Sequence, residues 1–344
     1  YQLGGDSLTA ISAVIEMEKL DNVPSEVSKG MLQGLNIREI AEQLDSEQLV
    51  EKNKHQIRSP EIKAGMAINV IRGFLVLFVI LAHWSAGILE RLPESVSSFS
   101  KFLAPFFSMG TPGFALIYGV GAGYSLFMVY QSEPERLKRI LQKTVHLLSW
   151  GVLALALVKF AETWLTKADV SFTDFTNSFY SVLTYYLLIS LTLSLWFKLL
   201  AATKNPAITS IFLAVVFYSI HTFGIRELGS YSAEGLTEFV KLLFTAKYSY
   251  FLMLSGTMFG IAVGMNIRTL IMDKKSLSPY MGIGLICVML GGLISVHAGD
   301  MYNWLVWPVS YNYIWRWIVY AGVILIMLAS IDRLLVNYDQ FDNL

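Results

Sequence analysis

Residues 67–84, AINVIRGFLVLFVILAHW, decide the fold class of this chain, because they are almost entirely apolar over the length of a membrane span. A helix needs about 20 apolar residues to cross the hydrocarbon core of a bilayer. Further stretches of this kind follow to the end of the chain. We therefore predict an all-α polytopic membrane bundle of about eight spans, near residues 66–89, 102–130, 138–163, 178–200, 206–224, 248–267, 279–298 and 313–334.

The composition separates a charged N-terminal part from an apolar remainder. Hydrophobic residues make up 54% of the chain and charged residues 15%, against roughly a quarter charged in soluble proteins. Charged residues are dense in residues 1–64, and the long apolar runs come after Gly65. We therefore divide the chain into a soluble domain at 1–45, a charged linker at 46–64 and a membrane domain at 65–344.

Charge and cysteine content argue against several classes of function. The formal net charge is zero, so nothing indicates a nucleic-acid partner. Cys287 is the single cysteine, which excludes an internal disulfide and a cysteine-based metal cluster. The histidines lack the close spacing within one helix that a metal site uses, and no metal site is predicted.

The basic residues predict which side of the membrane holds the N-terminus. Cytoplasmic loops carry an excess of Lys and Arg. An even number of spans places both chain ends on one side, and that side carries the larger share of basic residues. We therefore expect the N-terminal domain in the cytosol. The basic residues of that side are Lys52, Lys54, Arg58, Lys63, Arg136, Lys138, Arg139, Lys143, Lys198, Lys204, Arg268, Lys274, Lys275 and Arg333, and those of the other side are Arg91, Lys101, Lys159, Lys167, Arg226, Lys241 and Lys247.

The chain opens with Leu3-Gly4-Gly5-Asp6-Ser7-Leu8, followed by a segment with apolar residues at helical spacing. Asp6 and Ser7 stand where a helix N-cap would stand, so one interpretation is simply a capped helix. The other is functional. Two glycines allow close backbone approach, and a Ser at an exposed helix N-terminus is well placed for a phosphate, which the helix dipole and the free N–H groups favour.

The same motif resembles the phosphopantetheine attachment site of acyl and peptidyl carrier proteins, and the similarity continues through Val23-Pro24 to a final helix around 37–44. The resemblance implies that Ser7, with Asp6 beside it, carries a 4′-phosphopantetheine arm holding an acyl or aminoacyl thioester. It also implies a phosphopantetheinyl transferase and an upstream or separate adenylation or loading domain as partners, as in systems similar to nonribosomal peptide synthetases. The family's first helix is expected upstream of Tyr1, so residues 1–45 would form the C-terminal part of a carrier domain.

Two ionisable residues in the first span are candidates for function, because charged groups inside a membrane are costly. Arg72 follows Ile71, and His83 comes eleven residues later, roughly 16 Å further along a helix. We expect Arg72 nearer the cytosolic face and His83 in the outer half. Arg72 has the alternative interpretation of a snorkelling side chain, and His83 that of a hydrogen bond between helices.

This pattern resembles membrane acyltransferase family 3 and the related heparan-glucosaminide-type acetyltransferases, which have an Arg-Gly early in the first span and a His later in it. Residues 110–114, Gly-Thr-Pro-Gly-Phe, resemble part of their second span, and Arg136 and Arg139 belong to a basic cluster similar to the one that opens their third. The resemblance implies His83 and Arg72 as catalytic residues, with Arg136 and Arg139 assisting cofactor binding. Basic residues at a helix end are also ordinary topological anchors. These families commonly have about ten spans, so we expect the chain to stop short of a final pair.

Five further ionisable residues are expected near the outer ends of their spans, where His and acidic groups together would receive an acceptor. The alternative is scattered interfacial polar residues. His146, nearer the cytosolic end, is interpreted as a packing residue. The five are Glu162, His221, His297, Asp300 and Arg316.

Together these features predict a membrane-bound acyltransferase that moves an acyl or aminoacyl group from its own carrier domain to a hydroxyl or amine of a lipid, glycan or small-molecule acceptor. A neutral His83 would take the acceptor proton, and Arg72 would bind the phosphate of the arm or, less favourably, the oxyanion. Two alternatives stay open. The membrane domain is a transporter or flippase for a carrier-made product, or it is a membrane anchor for a carrier-dependent synthetase.

Overall fold

The architecture of the membrane domain is taken from a computed structural model. It describes residues 60–88, 93, 109–167, 169–229, 236–246, 248–297 and 314–341. Pro60–Val336 forms one compact unit. The second unit, Tyr1–Ser59 with Asn337–Leu344, lies almost entirely outside the described residues. The predicted carrier domain, with Asp6 and Ser7, and the linker up to residue 59 therefore lie outside them too.

Every element assigned in the described part of the chain is helical. A short π-helix, Ala122–Leu126, joins α2 to α3, so that residues Gly110–Ser132 form one continuous rod. The α-helices in chain order are α1 Pro60–Ile88, α2 Gly110–Gly121, α3 Phe127–Ser132, α4 Pro134–Thr166, α5 Phe172–Ser178, α6 Val182–Ala201, α7 Pro206–Leu228, α8 Leu236–Thr245, α9 Tyr250–Met272, α10 Pro279–His297 and α11 Ile314–Phe341.

The predicted all-α membrane bundle is confirmed. Seven helical stretches in the described residues are long and apolar enough to cross a membrane. The remaining predicted span, at 279–298, corresponds to α10, whose apolar part Pro279–Ile294 is shorter than the other seven. One boundary differs from the prediction. The first helix begins at Pro60, so residues 60–64, assigned to the linker, belong to α1. Proline suits a first helical turn, because its missing N–H would have no intrahelical partner there.

The spans differ in how much of their surface other helices cover. In α9, 67% of the apolar window is buried inside the bundle, whereas in α4 the buried share is 11%. Side chains of α4 such as Leu147, Trp150 and Val158 are largely exposed. A soluble protein rarely exposes large contiguous apolar surface, and lipid tails are the environment that accommodates it. The chain is an integral membrane protein with α9 at its centre.

The contact between the second span and α9 is built from glycines on both sides. A Cβ added to Gly119 would lie 2.1 Å from the carbonyl oxygen of Thr257, and one added to Gly260 would lie 2.1 Å from that of Leu116. A Cβ added to Gly123 or to Gly264 would likewise lie 2.1 Å from a backbone carbonyl oxygen of the facing helix. Small residues four apart let membrane helices pack backbone to backbone. In a hydropathy profile the glycines of the second span only interrupt an apolar stretch. In the structure they form the central contact between two helices of the bundle.

Candidate functional site

Arg72 is half-buried and lies about halfway along the apolar stretch Ile62–His83. Its Nη1 donates to Asn69 Oδ1 at 3.2 Å, one turn earlier on α1. Its Nη2 lies 2.5 Å from the point where a Cβ on Gly121 would stand. The guanidinium thus occupies room that a glycine of the second span leaves open. Each end of the stretch is about 15 Å away, and this inward contact favours a packed cation over a snorkelling one.

Two tyrosines stand beside this cation. The hydroxyls of Tyr118, on α2, and Tyr186, on α6, lie within electrostatic range of the Arg72 guanidinium. The two rings meet edge to face, with centroids 5.7 Å apart. We call Arg72, Tyr118, Tyr186 and Ser190 the Arg72 site. It joins side chains from three spans that are far apart in the sequence.

The Arg72 site holds a buried hydroxyl with no partner among the described residues. Tyr186 OH is buried and makes no hydrogen bond there, whereas Ser190 Oγ lies within hydrogen-bonding range of the Tyr118 hydroxyl. A buried hydroxyl without a partner costs about 1–3 kcal/mol, so native proteins leave few of them. Such groups beside a cation indicate a place for water or for a polar ligand.

A hydrogen-bonded support fixes the neighbouring tyrosine. Tyr185 OH bonds to Thr257 Oγ1 and donates to the carbonyl of Met253 at 3.3 Å. Thr257 Oγ1 in turn donates to the carbonyl of Ala115 at 3.0 Å. The Tyr185 and Tyr186 rings are in edge-to-face contact at 5.0 Å. These hydrogen bonds link α6, α9 and α2 next to the Arg72 site. The contact between the two rings then fixes the position of Tyr186.

An anion or a carbonyl oxygen would fit the Arg72 site. A guanidinium presents a planar set of N–H donors to such an oxygen, and the hydroxyls of Tyr186 and Ser190 can add donors. The phosphate and amide oxygens of a pantetheine arm are of this chemical type. In membrane interiors an ionisable residue of this kind marks a functional site by default.

His83 occupies a different environment. It is the last residue of the apolar stretch Ile62–His83, and its side chain is exposed. It lies about 16 Å along α1 from Arg72, so the two side chains do not act on the same atom. The imidazole is open to a molecule that approaches this end of the apolar stretch.

Arg136 and Arg139 lie in the first two turns of α4 and are exposed. Arg136 Nη1 pairs with Glu133 Oε1 at 3.4 Å, with both side chains more than half exposed, and such pairs contribute little to stability. These residues lie at the end of the bundle, whereas Arg72 lies about 15 Å inside it. The structure does not bring them to the Arg72 site.

The proposed acceptor cluster at the outer ends does not assemble among the described residues. His221 is fully buried; its Nδ1 lies 2.5 Å from the carbonyl oxygen of Phe244 and 2.8 Å from Ser249 Oγ. Glu162 and His297 are exposed, and Arg316 is buried. No three His, Cys, Asp or Glu side chains of the described ranges could hold a metal ion together. Asp300 lies outside those ranges.

Sequence reasoning missed the tyrosines of the Arg72 site. Neither Tyr118 nor Tyr186 was among the predicted site residues. The one local signal is that Tyr185 and Tyr186 are adjacent tyrosines in an otherwise apolar run. The helix contacts that bring these rings to Arg72 are not readable from hydropathy.

Comparison with known proteins identifies no relative of this chain. None of the protein-family models, curated proteins and solved structures that were compared with it matches.

Proposed function

We propose that this protein is a membrane-embedded acyltransferase. It takes an acyl or aminoacyl group from the phosphopantetheine thioester of its own N-terminal carrier domain, attached at Ser7, and transfers it to a hydroxyl or amine acceptor. The observation that carries this proposal is the Arg72 site, where a half-buried cation of a membrane span lies near the Tyr186 hydroxyl, which is buried and has no partner among the described residues. The motif resemblances at residues 3–8 and 71–83 supply the reaction class.

In this mechanism Arg72, midway along α1, and His83, towards its C-terminal end, have separate tasks. Arg72, with the hydroxyls of Tyr186 and Ser190, holds oxygen atoms of the donor arm, its phosphate or its amide carbonyls. When bound, the arm supplies the acyl group as a thioester. About 16 Å separates Arg72 from His83, so only a long donor could meet both. The separation therefore favours an extended arm over a small acyl donor.

His83 acts as the general base. As the acceptor oxygen or nitrogen bonds to the acyl carbon, its O–H or N–H bond breaks and the proton passes to the imidazole. A neutral histidine suits this step, because the free nitrogen of its imidazole can accept a proton. The proton returns to the sulfur as the carbon–sulfur bond breaks. The products are an ester or amide and a free thiol, and neither an oxidant nor a metal is required.

The test follows a radiolabelled acyl or aminoacyl group in membranes that hold the full-length protein. We expect Ser7→Ala to abolish loading and His83→Ala to load normally but lose transfer by 10²–10⁴-fold, about the contribution of a general base. Arg72→Gln should also load normally and transfer at least tenfold more slowly. His297→Ala is the matched control, because it changes an exposed histidine at the end of another span.

The outcomes separate the competing functions. If His83→Ala and His297→Ala both discharge label at the wild-type rate, His83 is not the base. If labelled product crosses the membrane of sealed vesicles but no covalent transfer occurs in any variant, the protein transports a carrier-made product instead. Loss of transfer in His83→Ala alone, with loading intact, supports the acyltransferase.

A further inference from the structure

A second polar site lies at the other end of the second span, in a cavity of about 630 Å³. The cavity is bounded by the second span, α7, α9, α10 and one residue of α11. It lies at the end of the bundle where α7 and α10 begin and α9 ends. Most of its lining is apolar, including Phe127, Ile211 and Phe259. We call it the Arg268 cavity.

Arg268 is the one charged side chain among the described residues that line this cavity. Its guanidinium carbon lies 5.7 Å from the centre of the Tyr124 ring, a cation–π contact. Its Nε is buried and makes no hydrogen bond within the described chain. The Arg268 cation therefore packs against an aromatic ring, and its Nε–H is available to a ligand.

Two further features of the Arg268 cavity favour a negative ligand. Tyr280 also lines it, and its hydroxyl is buried without a partner among the described residues. The first residues of α7, Pro206 to Ile208, lie at its wall, so the positive end of a 23-residue helix dipole is close. Pro206 has no N–H and Ile208 N donates to Asn205 Oδ1, so the helix end contributes its dipole, while Arg268 Nε and Tyr280 OH are the donors for a phosphate.

The apolar part of the cavity decides the kind of phosphate. Ile211 and Phe259 also line a second, smaller apolar cavity of about 300 Å³, bounded by residues such as Trp317 and Ala214. The two cavities thus adjoin each other along α7 and α9. On α7, Ile208, Phe212 and Val215 are 61–65% exposed, so this side of the bundle is open to the hydrocarbon of the membrane. A free anion would leave this apolar wall uncovered, whereas an acyl chain would cover it.

We propose that the Arg268 cavity binds an anionic phospholipid from the leaflet on the N-terminal side, with its phosphate at Arg268 and Tyr280 and an acyl chain along Ile211 and Phe259. An acyl chain buried in this groove gains about 0.8 kcal/mol for each CH₂ relative to water. A lipid that leaves the bilayer gains no such advantage, because its chain was already in hydrocarbon. The selectivity among lipids therefore comes from the headgroup. The site therefore selects anionic over zwitterionic headgroups. This inference does not rest on the proposed acyl transfer.

The experiment is native mass spectrometry of the full chain in detergent, titrated with phosphatidylglycerol or with phosphatidylcholine. In Arg268→Gln the dissociation constant for phosphatidylglycerol should rise about tenfold or more, the loss expected for a hydrogen bond to a charged group. Binding of phosphatidylcholine should change much less. Lys198→Gln is the matched control, since it removes an exposed cation at the same end of the bundle.

Further arms keep the test decisive. Tyr280→Phe should weaken phosphatidylglycerol binding by a smaller factor, and Arg268→Lys should fall between wild type and Arg268→Gln, so the test stands even if Arg268→Gln does not fold. Equal binding by Arg268→Gln and Lys198→Gln would overturn the proposal. Displacement of the lipid by inorganic phosphate at similar concentrations would show a free-anion site instead. Lipid binding to Ser7→Ala but not to the arm-bearing chain would show that the arm is the occupant.

Discussion

The second span presents glycines to two neighbours, and the two contacts have different consequences. Gly119 and Gly123 face the backbone of α9, whose carbonyl oxygens would lie 2.1 Å from an added Cβ. Gly121, between them, faces α1, where the first atom met is the end of the Arg72 side chain at 2.5 Å. Backbone cannot move aside without moving a helix, but a guanidinium can turn. One glycine contact therefore sets the packing of the bundle, and the other sets the position of a cation.

The largest effect is expected from Gly119→Ala. The added methyl group would meet the Thr257 carbonyl at 2.1 Å, so α2 and α9 must separate. Overpacking of this kind typically costs about 1–3 kcal/mol and occasionally more. We expect a clear fall in the free energy of unfolding, measured by thermal or SDS denaturation of the purified protein in detergent.

Gly73→Ala on α1 is the control for this change, because a Cβ there would have no atom within 4 Å. It should leave stability close to that of wild type. If Gly119→Ala and Gly73→Ala unfold at the same denaturant concentration, the close approach of the second span to α9 does not exist as described.

A smaller effect on stability but a clear effect on activity is expected from Gly121→Ala. The new methyl group would displace Arg72 Nη2 without touching any backbone, so the fold should survive with a free energy of unfolding within about 1 kcal/mol of wild type. Because reacting groups must be positioned closely, a shift of about 1 Å can lower a rate 10²-fold. Transfer of labelled acyl groups should therefore fall at least tenfold, while loading at Ser7 stays unchanged.

The two glycine variants test the comparison together. Unchanged transfer in a stable Gly121→Ala protein would mean that the position of Arg72 does not matter to the reaction, and the site would lose its proposed role. A Gly121→Ala protein as unstable as Gly119→Ala would mean that both glycines serve packing alone.

The approximate positions of the spans could be predicted from the sequence alone, because the thickness of the bilayer requires a similar length of apolar residues in every helix that crosses it. Arg72 and His83 are conspicuous in the sequence, since each is an ionisable side chain in an apolar run, and their roles stay predictions. The start of α1 was placed after Gly65 rather than at Pro60. Span boundaries depend on how far a helix extends beyond the apolar run, which hydropathy does not report.

The partners of the buried charges could not be predicted from the sequence. Gly119, Gly121 and Gly123 are identical in hydropathy, and only the packing of three helices separates their roles. Arg268 was counted as one of many basic residues on the cytosolic side, although the structure places its Nε in a cavity beside Tyr280. Such contacts join residues that are distant in the chain, and no local pattern encodes them.

The smallest effect is expected at a site remote from both glycine contacts, the ion pair between α4 and α5. Lys167 Nζ lies 2.5 Å from Asp174 Oδ1, and Ser171 donates to the same carboxylate. These contacts lower the pKa of Asp174 to about 2 from its ordinary 3.8, with the Lys167 hydrogen bond as the largest cause. A lowered pKa in the folded state means that the charged carboxylate stabilises the fold above about pH 4 and that this stabilisation disappears as the pH falls towards 2.

Asp174→Asn should therefore have a melting temperature slightly below that of wild type at neutral pH, and the difference should disappear in acid. In a Lys167→Met background the pKa of Asp174 moves back towards 3.8, so the gap should be smaller and close at a higher pH. A gap that stays constant across this range would show that the charge of Asp174 contributes nothing, and altered transfer in Asp174→Asn would show that the segment joining α4 to α5 is coupled to the Arg72 site.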